Sequence, residues 1–135
     1  MARPRVLTRI DAATVQTVGE ALDFDSLSAL SQRKLNALGL PLAYIDREQR
    51  YRFVNKAFAD WLGKRMDEVV GHEVIEVLGR ELYQLYHAYV EAALDGERTG
   101  YERQLVSTVR KGIWIRVDYY PDRNSQGVVR GFLAT

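Results

Sequence analysis

Residues 41–63 restrict the possible folds more than any other part of the chain, because they join a hairpin directly to a helix. Two short runs rich in apolar and aromatic residues, at 42–46 and 51–54, are separated by a polar turn at 47–50. Such runs with a polar turn between them predict two antiparallel strands. The fold must therefore contain a hairpin whose second strand leads straight into a helix.

The helix after the hairpin is predicted from its first and last residues as well as from its apolar face. Asn55 follows the second strand and is a favourable N-cap residue. Phe58, Trp61 and Leu62 lie three and four residues apart, so they share one side of a helix. Gly63 is the residue type that most readily ends a helix in the left-handed conformation. A short helix with one apolar side is the expectation.

The last third of the chain has the pattern of three strands. Strand-like segments at 103–109, 113–120 and 128–135 are separated by a turn at 110–112 and a loop at 121–127. The middle segment alternates, and one set of its side chains should face a core: Ile113, Ile115, Val117 and Tyr119. Together with the hairpin, these segments predict a sheet of five antiparallel strands.

The strongest helix signal lies between the two groups of strands, at residues 80–94. Its apolar residues follow the i, i+3, i+4, i+7 rule, and Asp95 and Gly96 end it. The predicted apolar side consists of Leu82, Leu85, Tyr86, Tyr89, Val90 and Ala93. Two brief helical turns are expected before this helix, because Gly71 and Gly79 interrupt the apolar groups that follow Gly63. The long helix should cover one side of the sheet.

A further amphipathic helix is predicted ahead of the hairpin, at about residues 26–38. Its leucines recur at helical spacing, and Gly39 and Pro41 are stop signals. The leucines concerned are Leu27, Leu30, Leu35 and Leu38. The chain therefore divides into an N-terminal extension at 1–39 and a domain at 40–135.

Composition narrows the functional classes. A chain of 135 residues fits one domain, and a net charge of +1 gives no electrostatic reason to expect nucleic acid as a partner. No apolar run is long enough for a membrane span, and the first residues lack the apolar centre of a signal peptide. The chain has no cysteine, which excludes disulfides and cysteine metal sites. A cytoplasmic location is the default expectation.

Several weak signals, in a fixed order over about residues 40–135, resemble a PAS (Per-ARNT-Sim) sensory domain. None of them is as specific as a zinc-ligand or P-loop signature, and the likeness depends on their order. The residues that carry it are Asp46 at the end of the first strand, Asn55 after the second, Ala57, Phe58, Leu62, Gly63, the turn from Met66 to Gly71, and Gly131 with Phe132 in the last strand.

The resemblance implies an α+β, PAS-like fold, a five-stranded antiparallel sheet with helices on one face. It also implies sensing of a small ligand, dimerisation, or both, for an output domain such as a bacterial histidine kinase of a two-component system or a diguanylate cyclase. Family members usually continue from the last strand through Asp-Ile-Thr into a signalling helix. This chain stops at Thr135, so we expect it to be part of a longer protein. The leading helix is expected to pack on the sheet's other face, to form a homodimer contact, or simply to cap its own domain.

A small molecule would bind between the sheet and the helices, because clefts between layers are common ligand sites. The side chains expected to line that space are Ile45, Phe58, Trp61, Leu62, Ile75, Tyr86, Arg103, Leu105, Ile115, Val117 and Tyr119. Tyr86, Tyr89 and Tyr119 at core-facing positions can offer hydroxyls to a ligand, although aromatic residues at this spacing usually serve packing.

The histidines give little support for a cofactor or a metal. Some PAS domains carry a haem ligand on the long helix, but His87 points about 140° from Leu82, away from the predicted apolar side. The family's helix-ending pattern, compared with Asp95 to Glu97, places the haem-ligand position near Leu85 instead. His72 has no predicted co-ligand. A cysteine-linked flavin or other chromophore is excluded, since the chain has no cysteine.

Arg103 is the polar residue of greatest interest. If its strand alternates from Tyr101, then Tyr101, Arg103 and Leu105 share the inner side of the sheet. A guanidinium there could bind an anionic ligand through two hydrogen bonds. The favoured interpretation is a salt bridge to Glu73, Glu76 or a neighbouring strand, or exposure at a strand edge, because most arginines lie at least partly at the surface.

Two alternatives to ligand sensing remain open. The space between sheet and helices could be filled with side chains, which would leave a dimerisation module without a ligand. A small cone-shaped enzyme of the cystatin-like or steroid-isomerase type is also compatible with helices on a curved sheet. That enzyme would need an acid such as Asp118 or Asp60 buried inside the cone, and both are predicted to point outward. We therefore expect no catalytic residue and no metal site.

Overall fold

The computed structural model describes residues 41–104 and 114–135, and its five strands form one antiparallel sheet as predicted. The strand order is β2-β1-β5-β4-β3, so the last strand of the chain lies at the centre. The elements are β1 (Ala43–Asp46), β2 (Tyr51–Val54), α1 (Lys56–Leu62), a 3₁₀ turn (Met66–Glu68), α2 (Val74–Leu78), α3 (Arg80–Leu94), β3 (Thr99–Gln104), β4 (Trp114–Arg123) and β5 (Val129–Ala134). The predicted helix at 26–38 and Leu105 lie outside the described residues.

The junction between hairpin and helix depends on one buried amide. The Asn55 side-chain oxygen accepts hydrogen bonds from the backbone N–H groups of Phe58 and Leu42, each at 2.9 Å. The first bond caps α1, and the second ties the cap to the start of β1. Gly63 ends α1 in the left-handed conformation, with φ 69°. The predicted N-cap and helix end are both confirmed.

The hydrophobic core lies between the helices and one side of the sheet, which we call the inner face. Helix α3 packs across β3, β4 and β5. The buried side chains of this core are Ala43, Ile45, Tyr51, Val54, Val69, Val74, Val90, Ala93, Tyr119, Phe132 and Ala134. They come from α2 and α3 as well as from β1, β2, β4 and β5, so one core joins both layers. None of the helices in the described part of the chain is long and apolar enough to span a membrane.

The buried side of α3 is rotated relative to the prediction. Val90 and Ala93 are buried, but Leu85 is 65% exposed and Tyr89 is 36% exposed. At 100° per residue, Leu85 lies about 140° from Val90, whereas Tyr83 lies within about 20° of it. Tyr83 accordingly packs against the core. The prediction of a core-facing Leu85 was wrong, because the leucine was weighted above the tyrosine two residues before it.

Two strand boundaries differ from the prediction. β3 begins four residues earlier than predicted, at Thr99, because the polar residues at its start carried no apolar alternation. β4 continues through Pro121 to Arg123, where a loop was predicted. Pro121 pairs with β5, and β3 begins its pairing with β4 only at Tyr119, so the missing N–H of Pro121 costs no hydrogen bond on that side.

The opposite side of the sheet, the outer face, is also buried, and it holds a polar network. Tyr44, Tyr120 and Leu133 lie there with exposures of 4%, 6% and 0%. The register of β4 and β5 shifts between the pairs Asp122–Gly131 and Arg123–Val129, which places Arg130 at a β-bulge. The Arg130 Nε reaches the Asp122 Oδ2 at 2.7 Å. The Tyr44 hydroxyl donates to the same Asp122 oxygen at 2.7 Å. Tyr44, Asp122 and Arg130 are called the outer network below.

Gly131 makes room for this network in the central strand. A Cβ atom on Gly131 would clash with the Ile45 carbonyl oxygen and would lie 2.8 Å from the Tyr44 hydroxyl. Since the Tyr44 distance is shorter than real Cβ contacts, the Tyr44 ring lies where a side chain would otherwise be. Tyr44 therefore crosses the sheet surface toward Asp122 over the glycine.

Candidate ligand-binding site

The inner face carries a group of polar side chains at its β3 and β4 edge. In the register of these strands, Tyr101 is opposite Val117 and Arg103 is opposite Ile115. Val117 packs against the core, so alternation places Tyr101, Arg103 and Tyr119 on the helix side of the sheet. The predicted common face of Tyr101 and Arg103 is what the structure has. We call Tyr101, Arg103 and Tyr119 the inner polar cluster.

The tyrosines of this region form a continuous aromatic group. The hydroxyls of Tyr101 and Tyr119 are 3.1 Å apart and hydrogen-bonded, and their rings meet edge to face. Tyr86 of α3 stacks on the Tyr101 ring, with ring centres 4.1 Å apart, and Tyr89 also contacts Tyr101. Tyr119 in turn contacts Phe132. The group joins α3 to the sheet and holds the two hydroxyls in a fixed position.

These hydroxyls stay protonated at neutral pH. Burial raises the pKa of Tyr101 and raises that of Tyr119 well above its usual value. Burial likewise raises the pKa of the neighbouring Tyr51. The nearby Arg103 guanidinium opposes the rise at all three tyrosines, but burial has the larger effect. Each hydroxyl is thus a neutral group with one hydrogen to donate.

Arg103 supplies a positive charge next to these hydroxyls. Its guanidinium carbon lies 5.7 Å from the centre of the Tyr86 ring. Its Nε is fully buried and has no hydrogen-bond partner among the described residues. The expected salt bridge to Glu73 or Glu76 is not formed, and these acids pair with Arg50 at 3.1 Å and with His72 at 3.2 Å. The alternative expectation of exposure at a strand edge agrees with the structure in part, because Arg103 is partly exposed on the edge strand β3. Its guanidinium is also hydrogen-bonded to the Tyr101 hydroxyl.

The other residues predicted to line the space are placed as follows. Ile45 is buried in the core, and Phe58, Leu62 and Val117 pack against it. Trp61, Ile75 and Ile115 are partly buried, and they are not among the side chains of the described hydrophobic core. Leu105 is outside the described residues.

Sequence reasoning left Tyr51 and Tyr101 out of the predicted lining. Tyr101 had a usable signal, since it is two residues before Arg103 on the same strand and shares its face. No sequence signal pointed to Tyr51, because its position near the inner tyrosines depends on how the opening hairpin packs under the helices.

Metal and acid–base chemistry have no support in the described part of the chain. No group of three or more histidine or acidic side chains there could hold a metal ion. Asp60 is exposed and pairs with Lys56, and Asp118 is buried on the outer face, 3.1 Å from the Arg116 Nε. His87 is partly exposed, with its Nδ1 3.8 Å from Glu91. The acids that the enzyme alternative required thus lie away from the inner face.

The strand order, the antiparallel pairing and the helices on one face define a sensory-domain fold, and comparison with known families agrees. Residues 35–135 match the model of the family described as the PAS fold. The chain belongs to this family of sensory domains. No curated protein sequence matches the chain.

Solved structures give the same result for the fold. The PAS domain of Bordetella pertussis BvgS is similar with a TM-score of 0.64 and 21% identity, over 78% of this chain and 80% of that one. The PAS domain of the histidine kinase ThkA has a TM-score of 0.55 and 12% identity, over 69% and 92%. An RNA-binding light-oxygen-voltage receptor has a TM-score of 0.62 and 18% identity, over 78% and 31%.

Proposed function

We propose that this PAS domain senses a small molecule bound between the inner face of the sheet and helices α1 to α3. The observation that carries the proposal is the inner polar cluster within an otherwise apolar layer. Ligand sites in proteins are mainly apolar, with a few polar groups that converge on one point. Tyr101, Tyr119 and Arg103 have that arrangement, and the Tyr86 ring holds Tyr101 in place.

The proposed route from this site to an output domain runs along β4 to the end of the chain. Tyr119 is paired with Ala134 of β5, and the neighbouring Asp118 exchanges two backbone hydrogen bonds with Thr135, at 2.9 and 3.0 Å. A ligand that moves Tyr119 would therefore displace the last residues of β5. We propose that this movement regulates a histidine kinase or a diguanylate cyclase joined to the domain, and that the domain works as a homodimer.

Native mass spectrometry of freshly purified protein tests this proposal, since it reports a bound small molecule and the stoichiometry together. We expect an added mass on the wild-type protein. Val117→Trp places a large ring in the proposed space, so the added mass should be lost. Val128→Trp is the matched control, because Val128 is 53% exposed in the loop before β5.

Two results would contradict the proposal. One is a wild-type protein that carries no added mass and shows no thermal shift with a metabolite library; this would favour a dimerisation module without a ligand. The other is an added mass that Val117→Trp retains, provided that circular dichroism shows a folded variant. A monomer by mass spectrometry and sedimentation would overturn the homodimer alone.

A further inference from the structure

Among the arginines that the structure describes, Arg103 is distinguished by a buried nitrogen that has no hydrogen-bond partner. Five of them lie within 4 Å of a carboxylate, namely Arg50, Arg52, Arg65, Arg116 and Arg130. Three others donate to carbonyl or hydroxyl oxygens, namely Arg47, Arg98 and Arg123. Arg80, the remaining described arginine, is exposed. Arg103 is hydrogen-bonded to the Tyr101 hydroxyl, but it has no acid within reach among the described residues, and its Nε is buried without a partner.

A guanidinium whose Nε is buried is costly without a negative partner. Removing a cation from water costs several kcal/mol unless an opposite charge and hydrogen bonds compensate. The π face of Tyr86 offers only a weak substitute, since cation–π contacts contribute about 0.5–2 kcal/mol. The inner face therefore has an excess of one positive charge among the described side chains.

The tyrosine pair adds a second donor that has no acceptor. A hydrogen bond between two hydroxyls uses one of their two hydrogens, so either Tyr101 or Tyr119 keeps an O–H free to donate. Both pKa values are raised, which keeps both hydrogens in place at neutral pH. Among the described residues, neither hydroxyl has another hydrogen-bond acceptor. The Arg103 Nε and one hydroxyl of the tyrosine pair are thus two donors that have no acceptor among the described residues.

We propose that the sensed molecule is a small carboxylate, whose negative group binds Arg103 and the free hydroxyl of the Tyr101–Tyr119 pair. This inference rests on the proposed function and names its ligand class. One cation matches one negative charge, which favours a carboxylate over a phosphate dianion. The planar guanidinium can donate two parallel bonds to the two oxygens of a carboxylate. The apolar part of the molecule lies against the inner face.

Calorimetric titration with matched pairs of probes tests this proposal. The carboxylates are acetate, hexanoate, benzoate and phenylacetate, and each is compared with its neutral amide. We expect at least one carboxylate to bind the wild-type protein roughly tenfold to hundredfold more tightly than its amide, the range for hydrogen bonds to a charged group. Arg103→Met should remove this difference, and Tyr119→Phe should reduce it.

A control variant and two inorganic anions distinguish the ways in which the carboxylate proposal could fail. Arg52→Met should leave all affinities unchanged, since Arg52 is an exposed arginine near Asp46. If amides bind as well as carboxylates, the anion assignment is overturned and the small-molecule site stands. If chloride or phosphate binds as tightly as any carboxylate, the site is a general anion site and the assignment is overturned as well. If no probe binds and the purified protein carries no added mass, both proposals fail.

Discussion

Both faces of the sheet carry a group of arginine and tyrosine side chains, but the two groups differ in their hydrogen-bond partners. On the outer face, Arg130 and Tyr44 both donate to one oxygen of Asp122, which is 1% exposed. On the inner face, Arg103 and two tyrosines have no acid among the described residues. The outer network satisfies its donors within the chain, whereas the inner polar cluster leaves two donors for something else.

This difference separates a structural role from a binding role. A buried charge that is fully paired fixes one arrangement, and removal of either partner leaves the other charge exposed to an apolar environment. A buried charge that has no partner lowers the stability of the empty protein and favours any state in which a partner is present. The same substitution should therefore lower the stability much more on the outer face than on the inner face.

The largest effect is expected on the outer face. Arg130→Met leaves the Asp122 carboxylate buried without a cation, so the free energy of unfolding should fall by about 3 kcal/mol in urea denaturation followed by tryptophan fluorescence. Arg52→Met is the control, with an expected loss below about 1 kcal/mol for an exposed ion pair. A loss for Arg130→Met no larger than that of the control would show that the outer network is not structural.

Removal of one tyrosine hydroxyl from each face gives the next largest difference. Tyr44→Phe removes a hydrogen bond to a charged acceptor, which should cost about 2 kcal/mol at pH 7. Tyr119→Phe removes a bond between two neutral hydroxyls, which should cost about 1 kcal/mol or less. Thermal or urea unfolding of the two variants makes the comparison. Equal losses would mean that the two clusters do not differ in this way.

Alkaline pH should weaken the protein through the inner tyrosines. Their pKa values are higher in the folded protein than in the unfolded chain, so above about pH 10 the unfolded chain loses protons that the folded protein keeps. The stability is fully present below that pH and falls by about 1.4 kcal/mol per pH unit for each such tyrosine. In Tyr119→Phe, the decline measured by urea unfolding from pH 9 to 11 should be shallower. An unchanged slope would contradict the raised pKa.

The smallest change is expected for the matched substitution on the inner face. Arg103→Met removes an unpaired cation and a cation–π contact, so the stability of the ligand-free protein should change by no more than about 1 kcal/mol, with a gain as possible as a loss. Urea denaturation of protein freed of bound small molecules is the measurement. A loss as large as that of Arg130→Met would make Arg103 a structural residue and remove the basis for the carboxylate proposal.

The elements with strong local signals were predictable from the sequence. The bounds of α3 agree with the prediction because its periodicity is strong and Asp95 and Gly96 stop it. The end of β4 was missed because Pro121 was taken as a stop, and only the sheet order shows that its N–H is not needed. The buried side of α3 was predicted incorrectly, because the periodicity of an isolated helix does not show which of two apolar flanks packs on a sheet.

The candidate site was predictable only in part. Alternation alone placed Arg103 and Tyr101 on one face. That Arg103 has no acid partner among the described residues was not predictable, because the candidate Glu73 pairs with Arg50 where the opening hairpin meets the start of α2. The outer network joins residues 78 positions apart, Tyr44 and Asp122, and no local pattern reports such a contact.

The outer network depends on a position in the central strand that has no side chain. Tyr44 can reach Asp122 only because position 131 has no side chain, so even a methyl group there would push the aromatic ring away from the carboxylate. Gly131→Ala should thus separate the Tyr44 phenol from the Asp122 carboxylate without altering either side chain. In this domain, the absence of one carbon atom from the central strand decides whether a phenol can join a charged pair.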